Sequence, residues 1–146
     1  MNIEPYKSFG PLKFGQSSKD DCVHFLGEPM KISKNRVGIE EFHYDSFIIR
    51  FDRLTSTVRE CTLLPRTTAT IGDIDITWDQ NFLRQACERD GSPRDSYGFI
   101  VLKNLGVAVT GIHDEDESQL AITAFSESDI DEMLARSVPF ELPVAG

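Results

Sequence analysis

Three cysteines, three histidines and scattered carboxylates are the residues of this chain that could do chemistry, and their spacing argues against most of it. Cys22, Cys61 and Cys87 lie far apart, as do His24, His43 and His113. Only Cys22-x-His24 sets a thiol near an imidazole, and it lacks the paired spacing of a zinc site; on a helix, residues two apart do not share a face. Cys22 and Cys87 fall in apolar patterns where a thiolate is disfavoured, so packed core thiols are expected. A Cys–His pair that meets only in space stays compatible with the sequence. Phe14-Gly15-Gln16-Ser17-Ser18-Lys19 has one glycine and no second one before its lysine, so it is not a phosphate-binding loop. Asp20-Asp21 and Glu40-Glu41 read as a helix N-terminus and a solvated face rather than an acid/base dyad. The sequence therefore predicts no catalytic residue, no metal and no cofactor.

What remains is surface. Asp114, Glu115, Asp116 and Glu117 form an acidic run at a predicted hairpin tip, where like charges repel unless a cation or a basic surface relieves them. Its plain reading is a solvated turn. A second candidate is a sheet face: opposite Phe47, Ile49 and Phe51, strand alternation sets His43, Ile48, Arg50, Asp52 and Glu60, a mixture typical of protein interfaces. In the second half the same face would show Val101, Lys103, Ala108, Thr110, Ala121 and Thr123. The expected partner-binding residues are thus Asp114, Glu115, Asp116 and Glu117 together with His43, Arg50, Asp52 and Glu60.

The elements that position these residues come twice. Leu12-x-Phe14 and Gly27-x-Pro29 are matched, 64 residues on, by Ile76-x-Trp78 and Gly91-x-Pro93, which reads as an internal duplication. Between these landmarks each copy carries a helical stretch, Ser18 to Leu26 and Asp79 to Arg89, with Ser17 or Ser18 and Asp79 as caps and a glycine as stop. Strand-like alternation follows each: Phe42 to Asp52 with a turn at Asp45-Ser46, then Thr57 to Leu64; and Phe99 to Lys103, Leu105 to Ile112 and Gln119 to Phe125. Residues 1–11 read as a lead-in, and 30–38 as a surface loop or hairpin arm. A last helix is expected over about 127–136, with Ile130, Met133 and Leu134 as its stripe, before an extended tail marked by Pro139 and Pro143. The predicted fold is α+β: one domain over 1–146 with two tandem helix-plus-antiparallel-sheet repeats, about 11–64 and 71–125, each of about three strands, helices packed on one face of the sheet.

Size and charge bound the function. With 146 residues the chain suffices for one domain and its core, and no stretch approaches the eighteen apolar residues of a membrane span. The N-terminus has no basic start followed by an apolar run, and three cysteines cannot all pair, so a cytoplasmic protein with free thiols is expected. A net charge of −9 with scattered basic residues argues against nucleic acid and suits a basic protein partner.

The segment Pro11-Leu12-Lys13-Phe14-Gly15-Gln16-Ser17-Ser18-Lys19, continuing through Leu26-Gly27-Glu28-Pro29, resembles a recurring bacterial pattern: a short strand ending in Phe-Gly, a Ser-capped helix closed by Leu-Gly-x-Pro, then a small antiparallel sheet. It is similar to the repeat of the beta-lactamase inhibitory protein and of small outer-membrane assembly lipoproteins, and looks like the unit of cytoplasmic immunity proteins. The resemblance is distinct over about 11–64 and weaker over 71–125. It implies a non-enzymatic protein-binding module that neutralises a toxin effector by occluding its active site, and carries over no functional residue. The competing readings are a housekeeping or secretion-system adaptor and, behind it, a small hydrolase.

Overall fold

The computed structural model describes residues 1–142. The expected lead-in is folded: β1 (Asn2–Glu4), β2 (Ser8–Phe9) and β3 (Leu12–Lys13) are very short antiparallel strands, with Ile3, Phe9 and Leu12 fully buried. Helix α1 (Lys19–Leu26) begins where Ser18, in extended backbone, accepts a hydrogen bond from the Asp21 N–H, while the Asp21 carboxylate accepts from the Ser18 N–H. This closed box satisfies two otherwise orphaned donors, and Gly27 ends the helix at φ 83°. Of the two candidate caps Ser18 does the work; the Ser17 hydroxyl accepts from the Lys13 N–H instead.

An antiparallel meander follows: β4 (Lys31–Lys34), β5 (Glu40–His43), β6 (Phe47–Phe51) and β7 (Val58–Leu63). The polar insertion at 30–38 is thus a hairpin arm that supplies an extra strand. A second hairpin, β8 (Thr70–Ile71) with β9 (Ile74–Asp75), joins the N-terminal strands through a parallel β1–β8 pairing, giving a five-stranded sheet in the order β3-β2-β1-β8-β9. Helix α2 (Gln80–Asp90) is capped by Asp79, which accepts from the Phe82 N–H at 2.9 Å, and is ended by left-handed Gly91. It leads into a second meander, β10 (Arg94–Ser96), β11 (Phe99–Leu102), β12 (Val107–Thr110) and β13 (Ala121–Phe125). After a 3₁₀ turn, helix α3 (Ile130–Leu134) precedes β14 (Val138–Pro139), which pairs with β10. Pro139, expected in an extended tail, is extended and paired with Arg94, and Pro143 lies outside the described residues.

The two meanders join through β7 and β13, in antiparallel register with Ile122 opposite Leu63 and Ala124 opposite Cys61, forming one nine-stranded sheet. Ile49, Cys61, Leu63, Ile100, Leu102, Val107, Val109, Ile122 and Ala124 point to one face and share a core with Cys22 of α1 and Phe82, Leu83, Ala86 and Cys87 of α2. The fold is α+β, with two corrections to expectation. Each of these helices is followed by four strands, not about three. And the helices do not all lie on one face: Ile130, Met133 and Leu134 of α3 pack on Val101, Ala108 and Phe125, which the pleat directs to the opposite side. These buried apolar residues need a cover that a polar coat of water cannot give.

Gly111 closes the β12–β13 connection at φ 83°, and a Cβ there would stand 2.6 Å from the Leu120 backbone. Gly111→Ala therefore faces both a left-handed backbone and a backbone clash. It should lose more than about 1 kcal/mol of stability in chemical denaturation; a loss of a few tenths would mean that the connection relaxes at no cost.

Candidate protein-binding face

The uncovered part of the sheet belongs to the first meander. Alternation sends Phe42, Ile49, Phe51 and Cys61 to the core and leaves Ser33, Glu41, His43, Ile48, Arg50, Glu60 and Thr62 on the other side. Cross-strand register lines these up as neighbours, with Ser33 opposite Glu41, Glu41 opposite Arg50, Arg50 opposite Glu60 and His43 opposite Ile48. Arg50 organises the row. Its Nε donates to Glu41 Oε2 and its Nη1 to Thr62 Oγ1, each at 2.7 Å, and the Thr62 hydroxyl is hydrogen-bonded to that of Thr123 across the seam at 2.9 Å. Ser33 Oγ donates to Glu41 Oε1 at 3.2 Å and lies 2.9 Å from His43 Nε2.

Serine, histidine and glutamate side by side invite comparison with a hydrolase triad, and the geometry argues otherwise. A triad needs the carboxylate and the hydroxyl on opposite ring nitrogens, so that one orients the imidazole while the other surrenders its proton. Here Ser33 Oγ and Glu41 Oε1 both approach Nε2, at 2.9 and 3.5 Å. Among the described residues no hydrogen bond holds the imidazole through Nδ1 in the way a general base requires.

The two carboxylates beside Arg50 live in opposed environments. Burial alone would raise the Glu41 carboxyl, but the hydrogen bond and charge of Arg50, with Ser33 and His43, outweigh it and hold Glu41 below the ordinary carboxylate range. Glu60 is the reverse. Burial pushes its carboxyl up, and Arg50, at 3.5 Å, only partly compensates.

Next to Glu60, Arg59 ties the sheet to the segment before α3. Its Nε donates to both Asp129 carboxylate oxygens at 3.1 Å, with Nη2 on the same carboxylate, and its Nη1 lies 3.6 Å from Asp52. Asp52 is a turn residue: its carboxylate accepts the backbone N–H groups of Thr55 and Leu54, which hold it below its ordinary range. Between α3 and the sheet a cleft of about 290 Å³ opens, lined by Arg50, Arg59 and Glu60 on one side and Asp129, Glu132 and Met133 on the other.

The acidic run is elsewhere. Asp114, Glu115, Asp116 and Glu117 are all exposed in the β12–β13 connection. Asp116 accepts from the Ser118 N–H and hydroxyl, and Glu117 pairs with Arg66 at 2.7 Å. The run lies beyond the Ala121 end of β13, whereas Glu60 is opposite Phe125 at the other end. Of the eight expected residues, the structure brings His43, Arg50 and Glu60 into one network and joins Asp52 to its rim through Arg59. The acidic run forms a separate surface.

Burial disfavours the thiolate at all three cysteines. Burial pushes Cys22 up to about 12 and Cys87 up to about 11, and raises Cys61 well above the ordinary thiol range. A wider cleft of about 620 Å³, between the end of α2 and residues 139–142, has Cys87 as its thiol. Among the described residues no helix is long and apolar enough to cross a membrane.

No family model matches the chain, and no curated protein matches it. Its fold is similar to that of an extracellular protein containing an SCP domain from Bacillus anthracis, at a TM-score of 0.50 and 10% identity over 99% of this chain. The chain spans about half of that protein, 54% of its length. The likeness is one of fold.

Ser33, Arg59 and Asp129 are members of the network that the sequence reading did not single out, and Glu41, expected on a solvated face, is largely buried and accepts from Arg50 and Ser33. Glu41 shares the two-residue period of His43 within β5 and was legible from it; Ser33, set on this face by the register of the neighbouring strand, and Asp129, whose partner is 70 residues away, were not.

The opposed carboxyls give a test with a definite sign. With its native pKa raised, Glu60 binds its proton more tightly folded than unfolded, so its contribution to stability declines as pH rises through the ordinary carboxylate range toward the raised native value. Glu60→Gln should remove that decline. The stability of the variant relative to wild type, from urea midpoints, should increase from pH 4 toward neutrality; a constant difference would show that Glu60 is not desolvated. The cysteines give a second test. Cys61→Ser buries a hydroxyl in the core and should cost about 1–3 kcal/mol in urea unfolding; a loss of a few tenths would show that the thiol is not packed as an apolar group.

Proposed function

We propose that this chain is a non-enzymatic protein-binding module made of two copies of one unit, acting as a cytoplasmic immunity protein that occludes the active site of a bacterial toxin effector. The observation that carries the reading is the open face of the first meander: a row of charged and polar side chains held in place by one another, on a sheet that α1 and α2 support from behind and α3 borders along one side. Prefixed side chains lose little entropy when a partner arrives. The duplication draws support from the order of elements, α1 followed by β4 to β7 and α2 followed by β10 to β13, with the two meanders joined edge to edge. The resemblance of residues 11–29 to the immunity-type unit supports the class of partner. The charge of −9 supports a basic one, captured with electrostatic steering.

Capture from the lysate of the source cells, with wild type and a His43→Ala/Ile48→Ala variant as baits, tests the face. A basic effector retained by wild type and weakened tenfold or more by the variant, at equal thermal stability, supports the reading, provided that co-expression of wild type protects cells from that effector. Equal retention by both baits, or no protection, overturns it.

The acidic run makes a separate prediction. Asp114→Asn, Glu115→Gln, Asp116→Asn and Glu117→Gln together should change stability little, because exposed pairs such as Arg66–Glu117 are worth about 0–1 kcal/mol. Association with the isolated effector should slow several-fold at low salt. The effect should shrink near physiological ionic strength, where the screening length is about 8 Å; an unchanged on-rate at low salt would leave the run as a solvated turn.

A further inference from the structure

On the open face, the charges can be matched one by one. The Nε and Nη1 of Arg50 donate to Glu41 and Thr62. Arg59 is spent on Asp129, which it grips through Nε and Nη2. Glu60 is left with a long ion pair to Arg50: among the described residues no protein donor is hydrogen-bonded to its carboxylate, whose nearest cation, Arg50 Nη1 at 3.5 Å, already donates to Thr62. Glu132, on the facing wall of the cleft, also has no ion pair or side-chain hydrogen bond among the described residues.

The space between these two carboxylates has a definite character. At about 290 Å³ it falls just below the roughly 300–1,000 Å³ range of small-molecule pockets, a volume suited to one long side chain. Ile39 and Met133 give it apolar walls. A stem of methylene groups ending in a cation fits such walls, because long basic side chains bury their stems and keep their charge among polar groups. Of the two basic side chains, arginine suits two carboxylates on opposite walls, since its planar fork directs donors to both sides at once.

We propose that the cleft between α3 and the sheet is a socket for an arginine side chain of the protein partner, seated with its guanidinium between Glu60 and Glu132 and its stem along Ile39 and Met133. The inference rests on the protein-binding reading and names the group that the face recognises. The raised pKa of Glu60 agrees with it, as the mark of an anion short of partners until the cation arrives. Arg50 and Arg59 do not repel the incoming charge outright, because each is already matched with a carboxylate of its own.

The test uses the whole chain and two small probes of the same shape, n-butylguanidinium and the neutral n-butylurea, followed by nuclear magnetic resonance. Butylguanidinium should give saturable shifts at the backbone amides of Ile39 and Met133 and at the Glu60 carboxyl, and butylurea should give none of comparable size. Glu60→Gln should weaken the probe tenfold or more, while Glu117→Gln, on the separate acidic surface, should leave it unchanged. Should Glu60→Gln fail to fold, Glu132→Gln carries the same test, with a several-fold loss expected. Equal response to both probes, an undiminished response in a folded variant, or no saturable shift overturns the socket. Because the probes need no partner, the two readings fail separately: partner capture that survives while butylguanidinium does not bind removes the socket alone, and a bound probe without any captured partner removes the immunity reading alone.

Discussion

The pairing of β7 with β13 is the contact on which the rest depends. Alone, each meander is a sheet of four short strands, too small to bury its half of the shared core face well. Joined, they form one sheet whose core residues run without a break from Ile49 and Leu63 to Ile122, Val109 and Ile100, with both capped helices over them. The same register sets Thr62 beside Thr123 on the reverse side, so the hydroxyl chain that steadies Arg50 crosses the seam. A slip of one residue would turn either Cys61 or Ala124 outward and separate Thr62 from Thr123.

The reverse side of the sheet is divided by chemistry. In the second meander it is apolar, with Val101, Ala108 and Phe125, and α3 together with Tyr6 covers it. Across the first meander it is charged, and stays open. Arg59 marks the border, since its grip on Asp129 fixes the start of α3 at the edge of the polar field. One ion pair thereby sets both where the cover ends and where the cleft begins.

Much of this was legible in the sequence wherever the signal is local. Ser18 and Asp79 announced their helices because a cap acts within three residues, and Gly27 and Gly91 ended them where a left-handed residue was needed. The alternation of Phe47, Ile49 and Phe51 against Ile48 and Arg50 gave the faces of β6 correctly. The N-terminal strands were missed because β1 to β3 have two or three residues each, too few for a period, and β1 owes its place to β8, nearly 70 residues on. β10 was missed because Arg94, Asp95 and Ser96 carry no apolar alternation at all. α3 was found as a helix, but its choice of face depends on Val101, Ala108 and Phe125 presenting a surface that no local pattern describes. The candidate site follows the same division: His43, Arg50 and Glu60 could be grouped by strand period, while Arg59 and Asp129 meet only in the folded chain.

The seam also bears on how the chain is made. During synthesis the first meander can assemble as soon as Val58–Leu63 has emerged, but its partner strand, Ala121–Phe125, comes some sixty residues later. At translation rates of roughly 5–20 residues per second, β7 spends several seconds as an edge, paired with β6 on one side and with the backbone groups that face β13 unpaired on the other. That is the state in which a strand recruits the wrong neighbour, including the same strand of a second nascent copy. The vulnerable moment of this protein is therefore its half-made form, when the first half is folded and waiting for the second.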